Sequence, residues 1–182
     1  MVDVGASTGG FTEVLLRRGA RRVYAVDAGR GQLHEQLRHD PRVVVLERTN
    51  ARHLSPAAIK ERCGMAVMDV SFISVRKLLP ALRPLLTREA DVVVLVKPQF
   101  EVGRRQVGRG GIVKDPALHA QALMAVAQAA EAEMGYAVAA ACPSPIRGAT
   151  GNQEFFLHLR REGQRLPEPL LRAIVERAVS AC

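Results

Sequence analysis

The amino-acid sequence predicts an α/β fold built on a seven-stranded mixed sheet, and three observations support this expectation. Short β-branched runs alternate with helical patterns along most of the 182 residues. The runs are continuously apolar, which is typical of strands that helices cover on both faces. A turn-rich link without a helix joins the last two strands, so the last strand should return antiparallel to its neighbour.

Seven strands and six helices are expected in alternation, with one long irregular stretch. The predicted strands cover residues 1–4, 23–27, 43–46, 65–69, 92–97, 137–142 and 155–159. The predicted helices cover residues 12–18, 33–39, 56–62, 75–86, 117–133 and 168–179. Residues 99–115 are rich in glycine and arginine, and a loop of that length in a compact domain is usually functional or disordered.

The bulk composition narrows the class of protein. A net charge of +8 favours an anionic partner, with nucleic acid first, although a solvated basic surface is the alternative. No apolar run approaches the ~20 residues that span a bilayer, so no membrane partner is expected. Cys63, Cys142 and Cys182 are far apart and lack metal-ligand spacing, which predicts reduced thiols in a cytoplasmic protein without a bound metal.

The first strand leads into a small-residue turn typical of nucleotide-binding β-α-β units. Gly5 permits the sharp turn, and the free amides that open the next helix face the ligand. Asp27 lies 24 residues after Asp3, close to the spacing of an acid that accepts hydrogen bonds from ribose hydroxyls. The unit predicts an adenosine-bearing cofactor, with a nicotinamide dinucleotide still open. The candidate cofactor residues are Asp3, Gly5, Ala6, Ser7, Thr8, Gly9, Gly10, Phe11, Asp27, Asn50, Ala51 and Asp69.

Two acids and a lysine stand at strand ends. Asp69 ends the fourth strand, Lys97 ends the fifth, and Glu154 opens the last. All three should meet at the carboxyl edge of the sheet, beside the cofactor turn. A lysine after an apolar strand is costly to bury unless acids neutralise it. We therefore predict a catalytic lysine flanked by carboxylates, suited to taking a proton from a sugar hydroxyl. A structural ion pair is the alternative.

Two further segments carry open alternatives. The glycine-rich loop brings Arg104, Arg105 and Arg109, with Lys114 beyond it, toward this edge. These four cations are candidate phosphate contacts for RNA, and a solvated flexible loop is the alternative. Asn50 either touches the adenine or simply caps a turn.

Five segments taken together are similar to a single family. They are residues 3–12 (DVGASTGGFT), 47–52 (ERTNAR), 68–74 (MDVSFIS), 96–103 (VKPQFEVG) and 151–154 (GNQE). They resemble the TlyA family, whose members, often labelled hemolysins, are S-adenosylmethionine-dependent ribosomal RNA methyltransferases with an FtsJ-like catalytic domain. The resemblance extends to about Leu159 and favours a methyltransferase over a dehydrogenase.

The resemblance implies a Rossmann-like methyltransferase fold, S-adenosylmethionine as cofactor, and 2′-O-methylation of cytidine in ribosomal RNA. The implied partners are ribosomal RNA or ribosomal subunits in the cytoplasm. The family carries a Lys-Asp-Lys-Glu tetrad, and Asp69, Lys97 and Glu154 match its last three members. By that analogy Lys97 orients or deprotonates the ribose hydroxyl, while Asp69 and Glu154 set its charge and position.

The departure from the family lies at the amino terminus. Members of the family normally begin with an S4-type RNA-binding domain and a segment that holds the first tetrad lysine, whereas this sequence starts inside the cofactor strand. Residues 1–182 are therefore expected to form one FtsJ-like domain, truncated relative to the family and without the S4 domain. The alternative function is a domain that binds cofactor and RNA without turnover, because the first catalytic lysine is missing.

Overall fold

A computed structural model describes all residues of the protein, from Met1 to Cys182. Seven strands form a single sheet in the order β3-β2-β1-β4-β5-β7-β6. The strands are β1 (Val2–Val4), β2 (Val23–Val26), β3 (Val43–Leu46), β4 (Cys63–Met68), β5 (Leu86–Val96), β6 (Ala137–Pro143) and β7 (Phe155–Arg160).

The sheet is mixed, as the sequence predicts. Strands β1 to β5 pair in parallel, whereas β7 inserts antiparallel between β5 and β6. The carboxyl ends of the parallel strands therefore share one edge with the start of β7. Residues that end β4 and β5, or open β7, meet at this carboxyl edge.

Six α-helices flank the sheet, and no helix is both long and apolar enough to cross a membrane. Four of them confirm predicted helices, at 12–18, 33–39, 117–133 and 168–179, with shifts at their ends and with α2 reduced to a single turn. The helices are α1 (Gly10–Arg17), α2 (Glu35–Arg38), α3 (Leu79–Leu82), α4 (Pro98–Glu101), α5 (Pro116–Ala132) and α6 (Glu168–Ser180).

The predicted helix at 56–62 is wrong. This segment forms turns, in which the amides of Ala58 and Ile59 both donate to the carbonyl of Ser55 at 3.0 and 3.3 Å. Of its seven residues only Ile59 is buried, so the segment has no apolar face long enough to stabilise a helix by packing.

The predicted helix at 75–86 is also wrong as a continuous helix. It divides into a 3-10 turn (Val75–Lys77), the short α3 and a second 3-10 turn (Arg83–Leu85). Pro80 and Pro84 lack the amide hydrogen and disfavour the helical conformation of the residue before them, which explains the breaks. Strand β5 then starts at Leu86, six residues before the predicted start.

The predicted irregular stretch at 99–115 is partly regular. Helix α4 overlaps its start, and two 3-10 turns follow at Arg104–Gln106 and Arg109–Gly111. The loop therefore leaves β5 through a defined turn directly after Lys97.

Alternate residues of the central strands pack on opposite faces of the sheet. On one face, Val2 and Val4 join the main core of 31 buried residues, which includes the apolar faces of α5 and α6. On the other face a smaller cluster packs Leu15 and Leu16 of α1 against Val23 and Val67. Both faces are therefore covered, which agrees with the continuously apolar strands.

Candidate active site

Two adjoining clefts lie along the carboxyl edge of the sheet. The first, of about 620 Å³, is bordered by the turn after β1 and by the ends of β2 and β3. The second, of about 690 Å³, contains Lys97 and Glu154. Asp69, Ser71 and Phe72 line both clefts, so the segment after β4 forms the wall between them. We call them the cofactor cleft and the acceptor cleft.

The turn after β1 has no room for side chains at two glycines. Gly5 has φ +82°, and a Cβ there would overlap the backbone carbonyl oxygen of Asp69. Gly9 has φ +103°, and its Cβ would overlap the side chain of Leu37 on α2. Both positions are in the left-handed region that glycine adopts without cost. The absence of a side chain at Gly5 brings the turn against the end of β4.

Asp27 organises the floor of the cofactor cleft. Its Oδ2 accepts a hydrogen bond from the amide of Ser7 at 2.8 Å, and its Oδ1 accepts one from the amide of Gly29 at 2.7 Å. A carboxylate has about four acceptor positions, so Asp27 keeps free lone pairs for ribose hydroxyls. The two amide bonds fix the carboxylate beside the turn.

The structure shows one of the two roles that the sequence left open for Asn50. Its side-chain oxygen caps the 3-10 turn Ala51–His53 by accepting a hydrogen bond from the amide of Arg52 at 3.1 Å. Asn50 and Ala51 also line the cofactor cleft. The cap therefore positions Asn50 at the cleft and leaves its side-chain amide donors available.

Only some of the candidate cofactor residues line a cleft. Gly5, Ser7, Asp27, Asn50, Ala51 and Asp69 line the cofactor cleft, whereas Phe11 lines the acceptor cleft and meets Phe156 edge to face at 6.2 Å. The remaining residues line neither cleft; they are Asp3, Ala6, Thr8, Gly9 and Gly10. They shape the turn and the start of α1 from behind.

Asp3 lies buried beneath this turn. Its Oδ2 accepts a hydrogen bond from the hydroxyl of Thr12 at 2.7 Å, while its Oδ1 is buried without a partner. Burial raises the pKa of Asp3 to about 6, although the hydrogen bonds from Thr12 partly oppose the shift. Asp3 therefore ties β1 to the first turn of α1.

An ion pair joins the ends of β4 and β5. Lys97 Nζ lies 2.6 Å from Asp69 Oδ1, and it donates a hydrogen bond to Ser71 Oγ at 3.1 Å. The lysine side chain is only 13% exposed, so its charge needs this carboxylate. The pair stands on the wall that the two clefts share.

Glu154 lies in the same cleft but not in the same ion pair. It opens β7, is buried, and lies farther than 4.0 Å from Lys97. Burial raises the pKa of Glu154, and the charge of Lys97 partly opposes this shift. A Cβ on Gly148 would overlap the Glu154 carboxylate, so the glycine makes room for it.

The sequence analysis missed Phe72, which the structure places at the mouth of both clefts. Its side chain is 92% exposed, its φ is +66°, and its ring lies 5.4 Å from that of Phe100. A non-glycine residue with positive φ and an exposed aromatic ring is a candidate functional position. The sequence signal was an aromatic residue three positions after the strand-end acid.

The four predicted RNA-binding cations lie outside both clefts. Arg104, Arg105, Arg109 and Lys114 are exposed, and between residues 103 and 114 only Gly111 lines the acceptor cleft. Asn152 anchors this loop, since its side chain accepts from the amide of Val113 and donates to the carbonyl of Gly111, both at 2.9 Å. The cations therefore border the acceptor cleft from outside.

The cofactor cleft fits an adenosine-bearing molecule. It offers a glycine turn without side chains, a fixed carboxylate at Asp27 and an amide at Asn50. Beside it, a lysine–carboxylate pair faces a second cleft. The sheet order and these two clefts are typical of α/β domains that bind a nucleotide-bearing cofactor at the carboxyl edge of the sheet, with a second ligand site beside it. This protein has the features of that class.

The chain belongs to the FtsJ-like methyltransferase family, whose model matches residues 1–161. It is 55% identical over 180 residues to the 16S/23S rRNA (cytidine-2′-O)-methyltransferase TlyA of Mycobacterium tuberculosis, covering 98% of this chain and 67% of the relative. It is 40% identical over 158 residues to Hemolysin A of Brachyspira hyodysenteriae, covering 86% of this chain and 65% of the relative.

Solved structures agree with this assignment. A hemolysin-named protein from Streptococcus thermophilus superimposes with a TM-score of 0.90 at 42% identity, over 99% of this chain and 66% of that one. A SAM-dependent methyltransferase from Methanosarcina mazei shares the fold with a TM-score of 0.57 at 14% identity, over 90% of this chain and 92% of that one. The chain spans about two thirds of the length of the named TlyA and hemolysin relatives.

Proposed function

We propose that this domain transfers the methyl group of S-adenosylmethionine to the 2′-hydroxyl of a cytidine ribose in ribosomal RNA. The observation that carries the proposal is the Lys97–Asp69 ion pair of 2.6 Å on the wall between the two clefts. The names of the relatives support cytidine, the 2′-oxygen and ribosomal RNA as substrate. This substrate puts the reaction in the cytoplasm.

Gly5, Ser7, Asp27 and Asn50 would hold the cofactor, with the Asp27 carboxylate accepting from the ribose hydroxyls. When bound, S-adenosylmethionine supplies an activated methyl group on a sulfonium centre. The two clefts adjoin at Asp69, Ser71 and Phe72, so the sulfonium methyl group and the acceptor hydroxyl would meet where the clefts join.

Lys97 positions the acceptor hydroxyl. Asp69 stabilises its ammonium form, so Lys97 can donate a hydrogen bond to the 2′-oxygen and hold it in line for displacement. Lys97 also donates to Ser71 Oγ at 3.1 Å, which fixes the direction of its ammonium group toward the acceptor cleft. Glu154 can accept the departing proton, and burial, which raises the pKa of its carboxyl group, makes it a stronger base than an exposed glutamate.

Phe72 supplies a stacking surface for the nucleobase. Its ring is exposed at the mouth of the acceptor cleft, with Phe100 behind it. Base–aromatic stacking contributes about 1–3 kcal/mol per base and holds a nucleotide that has left its helix. The stacked base would bring its ribose toward Lys97.

Methyl transfer from labelled S-adenosylmethionine to ribosomal RNA tests the proposal. Lys97→Ala should lower the rate at least about a hundredfold, because positioning of the acceptor hydroxyl contributes a factor of that order or more. Lys60→Ala, at an exposed turn, is the matched control and should retain wild-type activity. Equal rates for Lys97→Ala and wild type would refute the role of Lys97.

Calorimetry separates the alternative function. If the wild-type domain binds S-adenosylmethionine and RNA but transfers no methyl group to RNA or ribosomal subunits, the domain binds without turnover. Lys97→Ala should bind the cofactor as the wild type does, because Lys97 lines only the acceptor cleft.

A further inference from the structure

One wall of the acceptor cleft carries a cation that the sequence analysis did not single out. Residues 144–150 form this wall, and Arg147 and Lys97 are the only basic side chains that line the cleft. Asp69 neutralises Lys97, whereas no carboxylate lies within 4.0 Å of Arg147. Arg147 is therefore the cation of the cleft whose charge is still available to a ligand.

The turn around Arg147 engages only one of the hydrogen-bond donors of its guanidinium group. Arg147 Nη1 donates to the carbonyl of Gly151 at 3.3 Å, and no other hydrogen bond engages its guanidinium. A guanidinium has five N–H donors, so most of them remain free. The side chain is exposed. It can therefore turn a bidentate face toward an anion.

Two backbone amides of the same turn are also free. Gly148 donates to the carbonyl of Asn152 at 2.9 Å, and Gly151 donates to that of Gly148 at 2.7 Å. Ala149 and Thr150 lie between these two glycines, and their amides donate to no group of the protein. Both residues line the cleft. Successive free amides in a turn form a concavity that favours anions.

We propose that residues 147–150 form a subsite for the 3′-phosphate of the nucleotide whose 2′-hydroxyl reaches Lys97. The inference rests on the proposed function and names the group that its acceptor site reads. The 2′- and 3′-oxygens occupy neighbouring carbons of the ribose, so a nucleotide with its 2′-oxygen at Lys97 carries its 3′-phosphate within the same cleft. Arginine binds phosphate through paired hydrogen bonds, which also fix the orientation of the sugar.

This subsite differs from the loop cations in what it contributes. Arg104, Arg105 and Arg109 line neither cleft, so they would bind the RNA backbone beyond the target nucleotide. A change at Arg147 should alter the recognition of a single nucleotide. A change at Arg104 should alter only the binding of longer RNA.

Ligand titrations followed by NMR test the subsite. The probes are cytidine, cytidine 3′-monophosphate and cytidine 5′-monophosphate, added to the wild-type chain and to Arg147→Gln, Arg147→Lys and Arg104→Ala. The wild type should bind the 3′-monophosphate about tenfold more tightly than either other probe, since charge-assisted hydrogen bonds contribute factors of that order. Arg147→Gln should abolish this preference, Arg147→Lys should retain part of it, and Arg104→Ala should keep it.

An unchanged preference in Arg147→Gln, or a wild-type preference for the 5′-monophosphate, would overturn the subsite. Thermal unfolding of each variant checks the fold, and the exposed side chain of Arg147 predicts an unchanged midpoint. Methylation of ribosomal RNA by the wild type separates the two proposals. Methyl transfer without a phosphate preference refutes only the subsite, whereas the preference without methyl transfer refutes only the proposed reaction.

Discussion

At the scale of single residues, Asp3 shows how burial opposes the ionisation of a carboxyl group. Its carboxyl group is fully buried under the cofactor turn, with one oxygen bonded to Thr12 and the other without a partner. An ionised carboxylate in such a place is costly, which is why its pKa rises to about 6. The residue links β1 to α1 at the expense of stability at neutral pH.

The stability of the protein should therefore depend on pH through Asp3. The folded state binds the Asp3 proton more tightly than the unfolded state, whose pKa is near 3.8. The free energy of unfolding should thus fall by about 2 kcal/mol between pH 4 and pH 6 from this group, and level off above about pH 7. Asp3→Asn should flatten the slope in urea unfolding measured from pH 4 to pH 7.

Asp40→Asn provides the control for this experiment. Its hydrogen bonds with Arg42 lower the pKa of Asp40 to about 2, so Asp40 is largely ionised in both states above pH 4. The variant should keep the wild-type slope between pH 4 and pH 6. An Asp3→Asn protein with the wild-type slope would show that Asp3 does not titrate in this range.

At the scale of elements, Glu101 joins the two segments that follow the Asp69–Lys97 ion pair along the chain. It ends α4, four residues after Lys97, and its side chain is 1% exposed. Its carboxylate accepts from Ser74 Oγ at 2.6 Å and from the amide of Val75 at 2.8 Å, and lies 3.4 Å from Arg76 Nε. The segment after β4, which also carries Phe72, is thereby tied to the segment after β5.

Glu101→Gln should weaken this connection while keeping its shape. The amide loses the charge-assisted hydrogen bonds, so the free energy of unfolding should fall by about 1–3 kcal/mol. The rate of methyl transfer should fall more than the affinity for S-adenosylmethionine, because Ser71 and Phe72 lose their support on the acceptor side. Chemical denaturation and single-turnover kinetics measure the two effects.

Glu89→Gln is the matched control, since Glu89 is exposed on β5 and forms no ion pair. It should leave both quantities unchanged. A Glu101→Gln protein as stable and as fast as the wild type would show that the connection does not position the site.

At the scale of the whole molecule, the net charge is +8, and the basic side chains around the acceptor cleft lie mainly beside it rather than inside it. The acceptor cleft itself holds two basic and two acidic side chains, whereas Arg104, Arg105 and Arg109 stand on the loop beside it. Contacts between such cations and phosphates release counterions, which makes binding depend on salt rather than on sequence.

The salt dependence of RNA binding should locate these contacts. Replacing Arg104 and Arg105 with alanine should reduce the slope of log K against log salt by about 2, one for each lost phosphate contact. Replacing Arg88 and Arg160, at the opposite edge of the sheet, should leave the slope unchanged. Equal slopes for the two double variants would indicate that the loop does not contact RNA; filter binding at several salt concentrations measures them.

Local patterns predicted much of the fold, and their failures have a local cause. The β-branched run at 92–96 predicted a strand correctly, because continuous apolar character leaves few other structures for a buried segment. The run at 75–86 looked helical by periodicity, but Pro80 and Pro84 divide it. At 56–62 the segment has too little buried surface to hold a helix.

The sequence by itself determined the glycine turn at Gly5 and the positions of Asp69, Lys97 and Glu154 at strand ends, since both follow from neighbouring residues and strand direction. Only the tertiary structure decided that Asp69 pairs with Lys97 while Glu154 stays apart, that Glu101 joins two segments, and that Phe72 and Arg147 face one cleft. These relations join residues distant along the chain, so strand order and side-chain packing set them rather than local pattern.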